Sequence, residues 1–118
     1  MPSAAIVILA GVEDPSGTGR VVNALMTAGE FKEEGDEVVV IFDGAGVKWV
    51  PELANPEGRY HRLLASLGDS VAGACAYCAQ AYGVREVVEQ AGVRLISEYK
   101  RHPSLRSYAA RGYQIITF

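Results

Sequence analysis

A chain of 118 residues with 49% apolar and 21% charged side chains has the balance of a globular protein, which excludes intrinsic disorder. Area scaling buries roughly two-thirds of the unfolded surface, enough for one core without disulfide staples. Lysine plus arginine is 11 against 14 acidic residues, a formal charge of −3. No basic run exceeds Lys100-Arg101, which argues against an electrostatic grip on nucleic acid.

In chain order, Ala4–Ala10 (AAIVILA) is a short, continuous apolar run rich in branched residues. Such a strand must be covered on both faces, which points to a parallel sheet. It is far short of the ~20 residues of a membrane span and no basic residue precedes it as in a secretory leader. No membrane association and a cytoplasmic location are therefore expected. Gly11 to Gly19 reads as a loop, with Ser16 or Thr18 capping the next helix. That helix carries Val21, Ala24, Leu25, Ala28 and Phe31 on one stripe and stops at Gly35. Glu37–Phe42 is a second strand, and Asp43-Gly44-Ala45-Gly46 turns the chain. A short helix over Gly44 to Leu53 packs Trp49 inward, Asn55-Pro56 breaks it, and Arg59 to Leu67 forms another. Val71–Ala74 is a third strand with Cys75 at its end, followed by helix to Tyr82. Gly83 is a stop, Arg85–Ala91 resumes helix, and Val93–Ile96 is a fourth strand. Ser104 caps a helix over Leu105–Arg111 that Gly112 closes, and Tyr113–Phe118 is a terminal strand. Strands alternating with helices predict a single α/β domain over residues 1–118, with right-handed crossovers and a parallel sheet covered on both faces.

In such folds ligands bind outside the carboxyl ends of the strands. The segments that qualify are Gly11–Gly19, Asp43–Gly46, Cys75–Cys78 and Ser97–His102. Cys75-Ala76-Tyr77-Cys78 is the sharpest of them. Cys75 falls where a strand yields to a helix, and the unpaired amides and dipole of a helix start favour a thiolate. Cys78 lies on the same helical face, so the pair can form a disulfide, or Cys78 can resolve an adduct on Cys75. The alternative is two buried small hydrophobes, since free cysteine is among the most buried residue types. Zinc is disfavoured on spacing, because a site needs about four ligands and neither His61 nor His102 stands near the cysteines in the chain. No metal or organic cofactor is expected.

Other signals are weaker. Gly17-Thr18-Gly19-Arg20-Val21-Val22 has two of the three glycines of a dinucleotide fingerprint, and Asp43, 26 residues after Gly17, imitates its ribose-binding acid. A valine at the third position spoils the close packing that motif needs, and a plain strand-to-helix turn explains the loop. Gly11, Asp14, Asp43, Gly44, Gly46 and Tyr77 are candidate pocket residues around Cys75. Acidic residues in turns more often cap or shape them, and tyrosines spaced like Tyr77 and Tyr82 are more often core or interface residues. His102 is a candidate proton donor, though a lone histidine is usually a surface side chain. Arg59, Arg62 and Arg85 read as solvated, with one of them able to hold an anionic sulfur group.

Three stretches carry a resemblance to a known family. They are Ile6–Gly11 with a helix opening at Gly19-Arg20-Val21, then Ile41-Phe42-Asp43-Gly44-Ala45-Gly46-Val47-Lys48-Trp49, and Cys75 followed eight residues later by Gly83-Val84. The chain resembles the DsrE/DsrF-like family of small α/β proteins over nearly its whole length. The resemblance implies a three-layer α/β/α sandwich with a five-stranded, mostly parallel sheet whose last strand lies beside the first. It also implies homotrimers or hexamers, and sulfur held as a persulfide on Cys75, exchanged with donor and acceptor proteins of a TusA-like or persulfide relay. Cys78 departs from the pattern of the family's relay subunits, so Cys75 is either a carrier or half of a dithiol redox pair. The expectation is a sulfurtransferase-type carrier. The alternatives are an oligomeric binding module for a nucleotide or small anion with inert cysteines, and a Cys75/Cys78 redox protein.

Overall fold

The computed structural model describes residues 1–118. The elements are β1 (Ser3–Ile8), α1 (Gly17–Glu33), β2 (Glu37–Phe42), a 3₁₀ turn (Gly44–Lys48) running into α2 (Trp49–Ala54), and α3 (His61–Leu67). A second 3₁₀ turn (Gly68–Ser70) leads to β3 (Val71–Cys75), α4 (Ala76–Ala81), α5 (Arg85–Gln90), β4 (Leu95–Ile96), α6 (Leu105–Ala110) and β5 (Gln114–Thr117). The strands join in the order β4-β3-β2-β1-β5, and every pair is parallel. The expected three-layer α/β architecture holds, with β5 beside β1. No helix is long and apolar enough to cross a membrane.

Period-two alternation divides the strands between two faces. Ala4, Ile6 and Ile8 of β1 and Val38, Val40 and Phe42 of β2 share one cluster with Val21, Ala24, Leu25 and Ala28 of α1. Burying each large apolar side chain there contributes roughly 1.5–3 kcal/mol. Val50, Leu53, Leu67 and Val88 extend the cluster under α2, α3 and α5. On the other face Ala5, Val7 and Ile41 are equally buried. From β1 to β4 the chain steps across the sheet in one direction, so right-handed crossovers put α1 to α5 on one face. The return from β4 to β5 runs the opposite way and puts α6 on the other. That layer is thin, because α6 has no fully buried residue.

Several boundaries move. β1 stops at Ile8, because the N–H groups of Leu9 and Ala10 both turn to the Phe118 carbonyl, at 2.8 and 3.2 Å. Ser16 occupies the cap position of α1 but makes no side-chain cap bond. The Asp14 carboxylate instead accepts from the Ser16 N–H and hydroxyl, at 2.9 and 2.8 Å, and the helix starts at Gly17. β4 shrinks to two residues at the edge of the sheet. Ser104 caps α6 as expected, accepting from the Ser107 N–H at 3.3 Å.

Since all strands are parallel, Ile8, Phe42, Cys75, Ile96 and Thr117 end at one edge of the sheet. The β2–β3 register slips between Val40–Val71 and Ile41–Gly73, a bulge that re-aims the end of β3. Gly73 makes it possible. Its φ is +147°, and a Cβ there would sit 2.3 Å from the Arg94 carbonyl oxygen.

Candidate functional site

Cys75 is both the last residue of β3 and the cap of α4. Its Sγ accepts from the Cys78 N–H at 3.3 Å, so the thiol takes the place of a capping hydroxyl. Cys75 is wholly buried and Cys78 is 8% exposed, and both are free thiols. The Cys78 thiol donates to Asp43 Oδ1 at 3.5 Å. Asp43 follows β2 and is itself fixed, because the same oxygen accepts from the Gly44 N–H at 2.9 Å.

The fourth group comes from the loop after β4. Tyr99 and His102 pair across a two-residue turn, with Tyr99 N to His102 O and His102 N to Tyr99 O both at 2.8 Å. Lys100 and Arg101 in its centre have φ of +48° and +70°. This is the mirror-image turn that normally takes glycine or asparagine. Two bulky residues in it cost about 1 kcal/mol each, and the surroundings hold them there. The Arg101 carbonyl accepts from the Tyr77 N–H at 3.0 Å, and the Arg101 guanidinium lies 5.2 Å from the Tyr77 ring centre. The turn delivers His102 Nδ1 to 3.3 Å from Cys75 Sγ, with the imidazole 4.9 Å from the Tyr77 ring. Ligand atoms of Asp43, Cys75, Cys78 and His102 all lie within 4.8 Å of one another.

Burial dominates the electrostatics of Cys75. It pushes the thiol from 9.0 up to about 12. The Cys78 N–H pulls the other way, and neighbouring Asp43 and Cys78 add to the rise. A displacement of that size disfavours the thiolate by roughly 4 kcal/mol. A helix end contributes about 0.3–1 kcal/mol, and α4 has only six residues. The expectation that the helix start would by itself favour a thiolate is therefore corrected.

The other candidates separate. Tyr77 is 46% exposed and covers the His102 side. Gly44, with φ of +50°, and Gly46 shape the Asp43 turn. A Cβ on Gly46 would fall 2.0 Å from the Ile8 carbonyl oxygen, so the turn is pressed onto the end of β1. Gly11 packs behind that turn, where a Cβ would stand 3.0 Å from Ala45 Cβ. Asp14 is spent on Ser16 and is not part of the four-group cluster. Its carboxyl, like that of the Lys48-paired Glu13, is held below the usual carboxylate range by these bonds. Arg85 engages Glu89 at 3.4 Å and Gln80 at 3.2 Å. The arginine beside Tyr77 at the start of the cysteine helix is Arg101, which is not among Arg59, Arg62 and Arg85. His102 stands beside Cys75 although 27 residues separate them along the chain, so it belongs to the site and is not a lone surface histidine. The available signal was its place in the Ser97–His102 loop, at the same sheet edge as Cys75.

The chain is similar to known proteins. An uncharacterized protein of Methanocaldococcus jannaschii, MJ0733, is 30% identical over 96 residues, spanning 81% of this chain and 78% of that protein. The structure of BT1422, a conserved protein of unknown function from Bacteroides thetaiotaomicron, superposes with a TM-score of 0.66 at 23% identity. It covers 97% of this chain and 94% of its own, a likeness of fold. The model of the DsrE/DsrF-like family matches residues 5–118, which takes in all four clustered groups and every strand but the first two residues of β1. The chain belongs to the DsrE/DsrF-like family.

Proposed function

We propose that the protein carries sulfane sulfur as a persulfide on Cys75. The observation that supports this best is the 3.3 Å approach of His102 Nδ1 to Cys75 Sγ. A buried thiol that resists ionisation needs a base beside it, and His102 stands there. In loading, the Cys75 proton passes to His102 Nδ1 while the Cys78 N–H steadies the developing thiolate. The sulfur then attacks the terminal sulfur of a donor persulfide, R–S–SH. The donor S–S bond breaks, the Cys75 S–S bond forms, and the leaving R–S⁻ recovers the proton from His102. Unloading is the same exchange in reverse, with an acceptor thiolate attacking the outer sulfur. Donor and acceptor approach over Tyr77 and His102, the partly exposed side of the site. Cys78 resolves the adduct by attacking the inner sulfur of the Cys75 persulfide, which forms the Cys75–Cys78 disulfide, breaks the persulfide S–S bond and releases the outer sulfur as hydrogen sulfide.

The reading includes assembly of several copies, the trimers or hexamers the family resemblance implied. Exposed apolar side chains at Leu9 (44%) and Ile115 (37%) at and beside the β1–β5 side of the sheet support it. The test of the carrier role is intact mass after brief exposure to polysulfide. Wild type and Cys78→Ser gain one sulfur atom that a reductant removes, and Cys75→Ser gains none. A Cys75→Ser protein that still gains sulfur sinks the assignment.

Burial of both thiols favours one second reading, a binding module with inert cysteines. The largest surface cleft, about 480 Å³, lies at the opposite end of β3, where Leu64, Asp69, Val71 and Arg94 line it. Under that reading both thiols stay silent to maleimide until the protein is denatured.

A further inference from the structure

We propose that Asp43, Cys75, Cys78 and His102 form a binding site for a single divalent cation of the zinc class. Along the chain these four residues spread from position 43 to position 102. The fold instead brings a carboxylate from the end of β2, two sulfurs from the β3–α4 junction and an imidazole from the loop after β4 to one point. Tetrahedral zinc takes sulfur at about 2.3 Å and nitrogen or oxygen at about 2.0–2.2 Å. Its ligand atoms therefore stand roughly 3.3–3.8 Å apart. Cys75 Sγ to His102 Nδ1 is 3.3 Å and Cys78 Sγ to Asp43 Oδ1 is 3.5 Å. These are two opposite edges of such a tetrahedron at the required length. One ligand atom from each of the four residues lies within 4.8 Å of the others, so drawing them to tetrahedral spacing takes closures of up to about 1.5 Å.

The donor set fits the ion. Two thiolates with one imidazole and one carboxylate are too soft for magnesium or calcium, which want oxygen throughout, and suit zinc. The supports that orient metal ligands are already present. Cys75 Sγ is held by the Cys78 N–H at 3.3 Å and Asp43 Oδ1 by the Gly44 N–H at 2.9 Å, bonds of the kind that fix ligand direction. The strained Lys100-Arg101 turn sets the imidazole. On binding, the two thiol protons leave to solvent and nothing is oxidised or reduced. Two thiolates, a carboxylate and a neutral imidazole carry three negative charges, so the loaded site keeps a single one. Asp43 and His102 are only partly buried, which leaves the ion a way in.

This inference does not rest on the sulfur-carrier reading. It does bear on it, because a cation holding Cys75 and a persulfide on Cys75 exclude each other. The experiment uses the full chain, reduced and stripped with a chelator, titrated with Co²⁺ and then Zn²⁺. One Co²⁺ per chain is expected, with the intense visible bands of tetrahedral cobalt and a thiolate-to-metal absorption in the near ultraviolet, both erased by Zn²⁺. Asp43→Asn, Cys78→Ser and His102→Gln each weaken affinity by about 100-fold or more, since even loss of a supporting bond costs about 10–100-fold. Thermal unfolding of each metal-free variant checks that it is folded. A pale octahedral spectrum overturns the site. So does affinity unchanged in Asp43→Asn and His102→Gln, which would mean chelation by the cysteines alone. Zinc-loaded protein that takes up no sulfur from polysulfide until chelated supports shared ligands, whereas uptake with zinc in place overturns them. If cobalt binds as described and the stripped protein never gains sulfur, the carrier reading falls and the metal site stands.

Discussion

His102 is 27 residues from Cys75 along the chain and 3.3 Å from it in space. Its removal tests the base role directly. His102→Ala should slow sulfur loading by about 100-fold or more, the usual contribution of a positioned base. The amount finally loaded at long times should be unchanged, and stopped-time mass measurements read both. Equal rates in the two proteins would exclude the role. At this scale the legible part of the site was the part written contiguously. The Cys75–Cys78 pair stands in four consecutive residues, and Asp43 sits in a glycine turn after an obvious strand. His102 shows no local pattern, because a neighbour made by topology leaves no trace in spacing. The state of Cys75 is not legible in the sequence for a related reason. A helix start can be read from residues 75–82, but how deeply the sulfur lies depends on what packs over it from elsewhere.

Single elements carry their own tests. In the turn that aims His102, Lys100→Asn with Arg101→Gly gives the backbone residues that accept positive φ. The double variant should be more stable by roughly 1 kcal/mol, read by denaturant unfolding. No gain would mean that the turn is relaxed as it stands. Gly73→Ala should do the reverse. A methyl 2.3 Å from the Arg94 carbonyl forces β4 away from β3, at a cost of about 3 kcal/mol or more. Tyr113, just before β5, donates its hydroxyl to Glu37 Oε2 at 2.7 Å, and that bond raises the phenol's pKa. The sign follows from the neutral phenol being the form that is held. The stabilisation is complete below tyrosine's ordinary range and is lost as pH rises through the raised folded value. Tyr113→Phe should cost under about 1 kcal/mol at neutral pH, an exposed hydrogen bond, and nothing at strongly alkaline pH. Strand and helix types were readable because each carries its own period. The ends of β1, α1 and β4 were not, because they depend on distant partners: the Phe118 carbonyl for β1, Asp14 for α1, and the short reach of an edge strand for β4.

At the scale of the whole molecule, the continuous apolar runs of β1 and β2 announced a parallel sheet, and crossover handedness set the layers. Strand order came from family resemblance, since nothing in composition says that β5 lies beside β1. The site sits over β2, β3 and β4, away from the β1–β5 side where the direction of winding reverses, and so differs from the usual switch-point placement. Assembly is a matter of the same scale. Sedimentation should give a trimer or hexamer, and Ile115→Asp should lower the mass if the β5 side lies in the contact. A monomer at high concentration would remove assembly from the proposal.

The β1–β5 pairing also sets an order of events in time. β1 leaves the ribosome well before β5, its last-made neighbour in the sheet. Until β5 emerges, the inner strand Ala4–Ile8, buried to the last residue in the finished sheet, has one edge with no strand to close it. An open apolar edge of that kind is a template for pairing with other chains. A chain cut before Gln114 would keep that edge permanently, and its fate should be aggregation rather than a smaller folded protein.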